Sequence, residues 1–146
     1  MQFKESTYEE IEAEVDRLLS INPDDLDGEA IRNSKIFTSI SRMYVQKSRK
    51  LSELYHALAK LELKRNRYYG GKESSEVYRK EPLTEAILKS DIPSYMNIDP
   101  LVTEMRDLVK ECERTVKFLE DSKGTLRARG FDIKNAIEYR KMMLGL

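Results

Sequence analysis

The amino-acid sequence predicts an all-α fold: a long coiled-coil-like helix packed with a second long helix, plus shorter N- and C-terminal helices. Three observations carry this. The 146 residues include only four prolines and six glycines, no tryptophan and 36% charged side chains, which suits helices better than a turn-rich β-sandwich. Apolar residues recur at spacings of three and four rather than in alternation. From residue 29 to residue 69 neither proline nor glycine interrupts the chain.

The length is that of one domain. The pattern divides this single helical domain, 1–146, into an acidic N-terminal helix and linker (1–29), a long basic helix (30–69), a partner helix (99–123) and a C-terminal helix (131–146). Thr7 followed three residues later by Glu10 has the form of a capping box, and Tyr8, Ile11, Val15, Leu18 and Leu19 share one face of the helix it starts. That helix stops near Ser20. Asn22, Pro23, Asp24, Asp25, Asp27 and Gly28 follow as an acidic linker whose aspartates can cap the next helix.

In the long helix Phe37, Ile40, Tyr44, Leu51, Leu54, Leu58 and Leu61 fall on heptad a and d positions, with Lys47 the only interruption. The next a position is Arg65, so the seam is expected to stop there and the helix to end at Gly70 and Gly71, with Lys72 to Ser75 as a flexible loop. Residues 82–90 read as a short helix started by Pro82, and Asp91 to Asn97 as a connector. Asp99 and Pro100 form an N-cap and N1 pair opening the partner helix, whose stripe is Leu101, Met105, Leu108, Cys112, Val116 and Leu119, widened by Val102 and Val109. Gly124 and Gly130 are expected to weaken or break that pattern. A last helix capped by Asp132 then carries Ile133, Ala136, Ile137 and Met143 on one side.

Zero formal net charge conceals a strong asymmetry. Residues 1–29 hold ten acidic side chains against Lys4 and Arg17, whereas 30–69 hold ten basic ones against Glu53 and Glu62. Between Ala30 and Ser52 there is no acidic residue, while Arg32, Lys35, Arg42, Lys47, Arg49 and Lys50 are all present. Such blocks suit a polyanion site or self-association.

Catalytic and metal chemistry find little support. Cys112 and His56 are the only residues of their kinds, too few for an internal disulfide or a conventional zinc site, and one cysteine fits a reducing cytoplasm. Gly70-Gly71-Lys72 lacks the earlier glycine and the following Ser or Thr of a phosphate loop. Glu9/Glu10 and Asp24/Asp25 sit in polar stretches with nothing apolar to separate their pKa values. We expect no enzyme, metal or cofactor. No eighteen apolar residues run together, and MQFKESTYEE has no basic n-region, so neither secretion nor a membrane partner is expected.

The basic block ends in Lys64-Arg65-Asn66-Arg67-Tyr68-Tyr69-Gly70-Gly71-Lys72, where cations for phosphates adjoin rings on which unpaired bases can stack. The candidate single-stranded DNA set is Lys60, Lys64, Arg65, Arg67, Tyr68, Tyr69 and Lys72. Arg65 and Arg67 lie beyond the seam, so replacing both by alanine is expected to weaken binding without loss of helicity. The alternative is that Tyr68 packs in the core and the cations pair with the acidic helix of the same or a neighbouring chain. The apolar side of the last helix has little chain left to cover it, which points to a closed multi-subunit assembly with Phe131, Ile133 and Ile137 at the interface.

At these residues the chain resembles the recombination mediator family of tailed phages typified by UvsY. The resemblance rests on Leu63-Lys64-Arg65-Asn66-Arg67-Tyr68-Tyr69-Gly70, against a family pattern L-K-x-R-x-x-Y-Y-x-G, and on Arg127-Ala128-Arg129-Gly130-Phe131-Asp132-Ile133-Lys134, against basic-R-G-F-x-I-K. It implies a non-enzymatic homo-oligomer, a ring or barrel, in the cytoplasm, that of the host if phage-encoded. It implies a protein that binds single-stranded DNA, assists displacement of single-strand-binding protein and loads a RecA-like recombinase in homologous recombination and repair. By resemblance the DNA-binding cations lie among Lys64, Arg65 and Arg67, since the register against the paired tyrosines admits more than one alignment, and self-association lies around Phe131, Ile133 and Ile137. The competing reading is a helical adaptor or scaffold that binds no DNA.

Overall fold

The computed structural model describes residues 5–146. Met1 to Lys4, which enter the charge count and the N-terminal reading above, lie outside the described residues. All regular structure among the described residues is helical, in keeping with the predicted fold class: α1 (Tyr8–Leu19), α2 (Leu26–Tyr69), α3 (Ser75–Lys80), α4 (Ile92–Ile98) and α5 (Pro100–Met143), with a 3-10 turn over Lys89–Asp91. The chain divides into two compact units, Met1–Arg49 with Cys112–Leu146, and Lys50–Glu111. Helices α2 and α5 each contribute a segment to both.

In the first unit Ile11, Val15 and Leu18 of α1, Ile36 and Ile40 of α2, and Leu119 and Leu126 of α5 form one core. Thr7 caps α1 by accepting the Glu10 N–H (3.2 Å), and Tyr8 meets Phe118 edge to face. The end of α1 is closed by two arginines rather than by a glycine. Arg32 donates to the carbonyls of Leu18 (3.3 Å) and Ser20 (3.1 Å), and Arg129 to those of Leu19 (3.0 Å) and Ser20 (3.1 Å). Cations at a helix C-terminus meet both its orphan carbonyls and the negative end of its dipole. Arg129 is buried and also bonds the Glu29 carbonyl (3.0 Å), the Glu29 carboxylate and Asn33. Among the linker aspartates Asp25 is the cap of α2, accepting the Gly28 N–H (3.2 Å). A Cβ at Gly28 would sit 2.2 Å from that carboxylate, so the cap requires glycine or a shifted Asp25.

In the second unit Ile92 and Met96 of α4 and Val102 of α5 form the core, with Leu61, Tyr69 and Ile87 packed against it. Helix α2 ends where the glycines predict. Lys72 N–H donates to Arg67 O (2.9 Å) and Gly71 N–H to Tyr68 O (3.2 Å), with Gly71 at φ +73°. This is a Schellman closure that needs a left-handed residue. Asp99 caps α5 as expected, its Oδ1 accepting the N–H groups of Leu101 (2.9 Å) and Val102 (3.0 Å).

Several local expectations fail. Residues 131–146 are not a separate helix: α5 runs through Gly124 and Gly130. Each glycine costs about 1 kcal/mol against alanine, but the buried row Leu119, Ser122, Leu126, Arg129 and Ile133 holds the helix across both. The two long stripes hold at Ile40, Val102, Val109, Cys112 and Leu119, all buried, and depart at single positions. Ile36 is buried while Phe37 is 51% exposed, and Val102 and Val109 are buried while Leu101 and Leu108 are exposed. Residues 82–90 carry no α-helix; the short helices are α3 and α4, and Pro93 sits in the first turn of α4, where its missing N–H costs nothing.

Candidate nucleic-acid interface

The basic end of α2 sorts its residues by helical face. Arg65 points into the second unit, where its side chain is 9% exposed and that of Asp99 0%. Its Nε donates to Asp99 Oδ2 (2.8 Å), and its two terminal nitrogens form a fork on the Glu81 carboxylate (3.0 Å each). The guanidinium lies over the Tyr68 ring, 4.3 Å from its centre. Tyr69 completes the cluster by donating its hydroxyl to Asp99 Oδ2 (2.6 Å). Asp99 thus accepts four hydrogen bonds, two from the backbone of the helix it caps and two from side chains of α2.

The titration behaviour follows from this geometry. The Glu81 fork, joined by Tyr69 and Asp99 against the opposing effect of burial, raises Arg65 further above its ordinary range. Burial alone pushes the Asp99 carboxyl upward, but the Tyr69 hydroxyl, the Val102 N–H and Arg65 outweigh it and hold Asp99 below the usual carboxylate range. Burial pushes both Tyr68 and Tyr69 up, and for Tyr69 the bond to Asp99 adds to it. The cluster is therefore a mutually satisfied ion-pair network of the kind that specifies packing.

Tyr68 is equally committed. It is buried, stacks on Tyr78 at 5.4 Å, and donates its hydroxyl to Glu81 O (2.9 Å), while Tyr78 donates to Tyr68 O (2.7 Å). The expectation that Arg65 lies beyond the seam, free for phosphate, is corrected: the seam continues through Arg65 as an ionic layer. Tyr68 is likewise no platform for a base, and Tyr69, half-buried with its hydroxyl on Asp99, is a poor one. For Tyr68 the core-packing alternative is the observed one.

The outward face of the same segment carries the other candidates. Lys60, Lys64 and Arg67, spaced four and three apart, share a stripe, and all three are exposed. Lys60 and Lys64 have no side-chain partner among the described residues. Arg67 is held half-exposed by Glu73 (3.2 Å) and the Lys72 carbonyl (2.9 Å). Lys72 is exposed just past the Gly70-Gly71 turn. In the first unit Lys35, Arg42 and Arg49 recur every seven residues on an exposed face of α2, also without partners among the described residues, whereas Arg32 and Lys47 are paired with Glu29 and Glu5.

The interface candidates also separate. Phe131 is 60% exposed and Ile137 half-buried, but Ile133 is buried within its own unit and so is unavailable to a neighbour, which corrects its assignment. Further exposed apolar residues follow towards the end of the chain, at Tyr139, Met142, Met143, Leu144 and Leu146. Among the described residues no group of three or more His, Cys, Asp or Glu converges as a metal site, and no helix is long and apolar enough to cross a membrane.

Residues 14–146 match the model of a family described as recombination, repair and single-stranded-DNA-binding protein UvsY. The chain belongs to this family. Among solved structures it is similar to crystal forms of the recombination mediator protein UvsY of bacteriophage T4. One superposes with a TM-score of 0.81 at 18% identity, covering 96% of this chain and 99% of that chain; another gives 0.78 at 14% identity, covering 94% and 99%. At that identity the likeness concerns the fold. Comparison with curated protein sequences gives no match.

Of the two segments that carry the resemblance to the UvsY family, the C-terminal one is structural. Arg129 closes α1, Gly130 lets α5 approach Asn33, whose Nδ2 would lie 3.2 Å from an added Cβ, and Ile133 is core. The basic segment is divided: Arg65, Tyr68 and Tyr69 face inward, and Lys64 and Arg67 face solvent. The role of Arg129 in closing α1 was not legible in the sequence because its acceptors lie about a hundred residues away.

Proposed function

We propose that this protein is a recombination mediator that binds single-stranded DNA as a homo-oligomer, assists removal of single-strand-binding protein and loads a RecA-like recombinase. Family membership over residues 14–146 carries the reading. The outward row Lys60, Lys64 and Arg67, ending at Lys72, supports it, because exposed cations on one helical face, Lys60 and Lys64 of them without a partner among the described residues, suit a phosphate backbone and offer no constellation for reading bases. The mediator acts by binding rather than catalysis, in the cytoplasm of a host cell.

Assembly is supported by the apolar end of α5 and the residues after it, where Phe131, Tyr139, Met142, Met143, Leu144 and Leu146 are exposed. The exposed acids Glu9, Glu12 and Asp16 of α1 and the exposed cations Lys35, Arg42 and Arg49 of α2 suit a head-to-tail order between copies. The direct test is a recombinase assay on single-stranded DNA coated with single-strand-binding protein. Adding the chain should restore DNA-dependent ATP hydrolysis by the recombinase, and Lys60→Ala/Lys64→Ala should restore much less. A chain that binds the recombinase but not the DNA, and restores nothing, is an adaptor instead.

A further inference from the structure

With Tyr68 buried and Tyr69 tied to Asp99, a bound strand needs another place for its bases, and the second unit has one next to the cation row. Two clefts meet at Asn66 and Pro93. The first, about 330 Å³, has Ile87, Ile92 and Pro93 as apolar walls and Lys72 and Lys89 on its rim. The second, about 480 Å³, continues along α2 past Ala59 and Leu63 and is walled opposite by Met96. Both volumes fall in the range of about 300 to 1,000 Å³ typical of small-ligand sites. From Ala59 to Gly70 the α2 wall runs roughly 16 Å at 1.5 Å per residue, longer than a single base requires.

We infer that this groove between α2 and α4 seats unstacked nucleobases of a bound single strand, while its phosphates follow Lys60, Lys64, Arg67 and Lys72. The inference rests on the proposed DNA-binding function and adds where the bases go. An apolar floor rejects the phosphates themselves, and a cationic rim demands that whatever enters be attached to negative charge. Nucleobases on a phosphate backbone meet both conditions. Asn66, at the waist of the groove, is exposed, and its side-chain amide has no partner among the described residues. It offers a donor and an acceptor to a base edge with no preference for one base. Arg106, at the far end, is already held by Glu62 (3.1 Å) and Asn97 (3.3 Å) and so acts as a wall rather than a phosphate contact.

The test compares oligo-dT with an abasic oligonucleotide of equal length, which keeps the phosphates and removes the bases. The full-length protein should bind oligo-dT more tightly by at least about fivefold, the lower end of what one stacked base contributes. Ala59→Leu, an exposed and helix-compatible change that narrows the groove, should shrink that ratio and leave the affinity for the abasic strand unchanged. Because the chain has no tryptophan, Leu63→Trp puts the only indole on the groove wall, and oligo-dT but not the abasic strand should quench its emission. Equal binding of the two strands by the unaltered protein, or a ratio that survives Ala59→Leu with no quenching at Leu63→Trp, overturns the groove and leaves the phosphate row standing. Failure to bind either strand defeats the DNA-binding function and the groove together.

Discussion

Arg65→Ala and Lys64→Ala change adjacent cations in the same basic run, and the structure assigns them opposite consequences. Removing Arg65 leaves the fully buried Asp99 side chain with the Tyr69 hydroxyl and two backbone N–H donors, but without its counter-charge. Breaking a buried ion pair from one side costs about 3 to 5 kcal/mol. Glu81 is 54% exposed and regains water when the fork is lost, and Asp99 keeps three donors, which places the cost near the lower end, about 3 kcal/mol. Loss of the cation over Tyr68 adds up to about 1 kcal/mol. Against a typical domain stability of about 5 to 15 kcal/mol this is a large fraction. Lys64→Ala removes an exposed, unpartnered side chain and should stay within about 0.5 kcal/mol of the parent. Urea titration followed by near-ultraviolet tyrosine circular dichroism reads the difference, since Tyr68, Tyr69 and Tyr78 surround the cluster. Arg65→Lys should recover only part of the loss, because an ammonium keeps the charge but not the fork on Glu81. If Arg65→Ala proves as stable as Lys64→Ala while oligo-dT affinity falls equally in both, Arg65 is a phosphate contact and the buried ionic layer is wrong.

Other outcomes follow from the same contacts. Arg129→Ala should cost about 3 kcal/mol, because the Leu19 and Glu29 carbonyls and Asn33 lose their donor while Arg32 still holds the Glu29 carboxylate and the Ser20 carbonyl, whereas the exposed neighbour Arg127→Ala should change urea midpoints little. Because the folded-state pKa of Asp99 is depressed, its contribution is present above the unfolded value near 3.8 and is lost as pH falls through the folded value. The stability gap between the parent and Asp99→Asn should therefore be widest near neutrality and close below about pH 4 in paired urea titrations. A truncation ending at Glu138 removes only exposed residues beyond the core position Ile133. Light scattering should then show smaller particles with unchanged helicity per residue, and full particle mass would put the interface elsewhere.

Local signals in the sequence were legible where the chemistry is local. Thr7, Asp99-Pro100 and Gly70-Gly71 each mark a helix end through bonds spanning a few residues, and each marks it correctly. The stripes were legible except where two apolar residues stand side by side. Ile36 and Phe37, or Leu101 and Val102, stand about 100° apart on a helix and are all apolar, so the partner element decides which one is buried. Arg65 was visible as the a position where the apolar repeat ends, yet its partners Glu81 and Asp99 lie 16 and 34 residues away. A charge on a seam position next to a cap residue as acidic as Asp99 was the available hint. Gly124 and Gly130 argued for a break because propensity is counted locally, while the row from Leu119 to Ile133 that holds α5 together draws on packing with α1 and α2.

If Lys60, Lys64 and Arg67 form an electrostatic track for single-stranded DNA, oligo-dT binding must weaken steeply with salt. With about three phosphates neutralised per protomer, at roughly 0.7 per contact, the logarithm of affinity should fall against the logarithm of salt with a slope of about −2, steeper across an assembly. Lys60→Ala/Lys64→Ala should reduce the slope to less than half without altering the fold. A parental slope near zero, a slope untouched by the double substitution, or a preference for duplex over single strand would contradict the account.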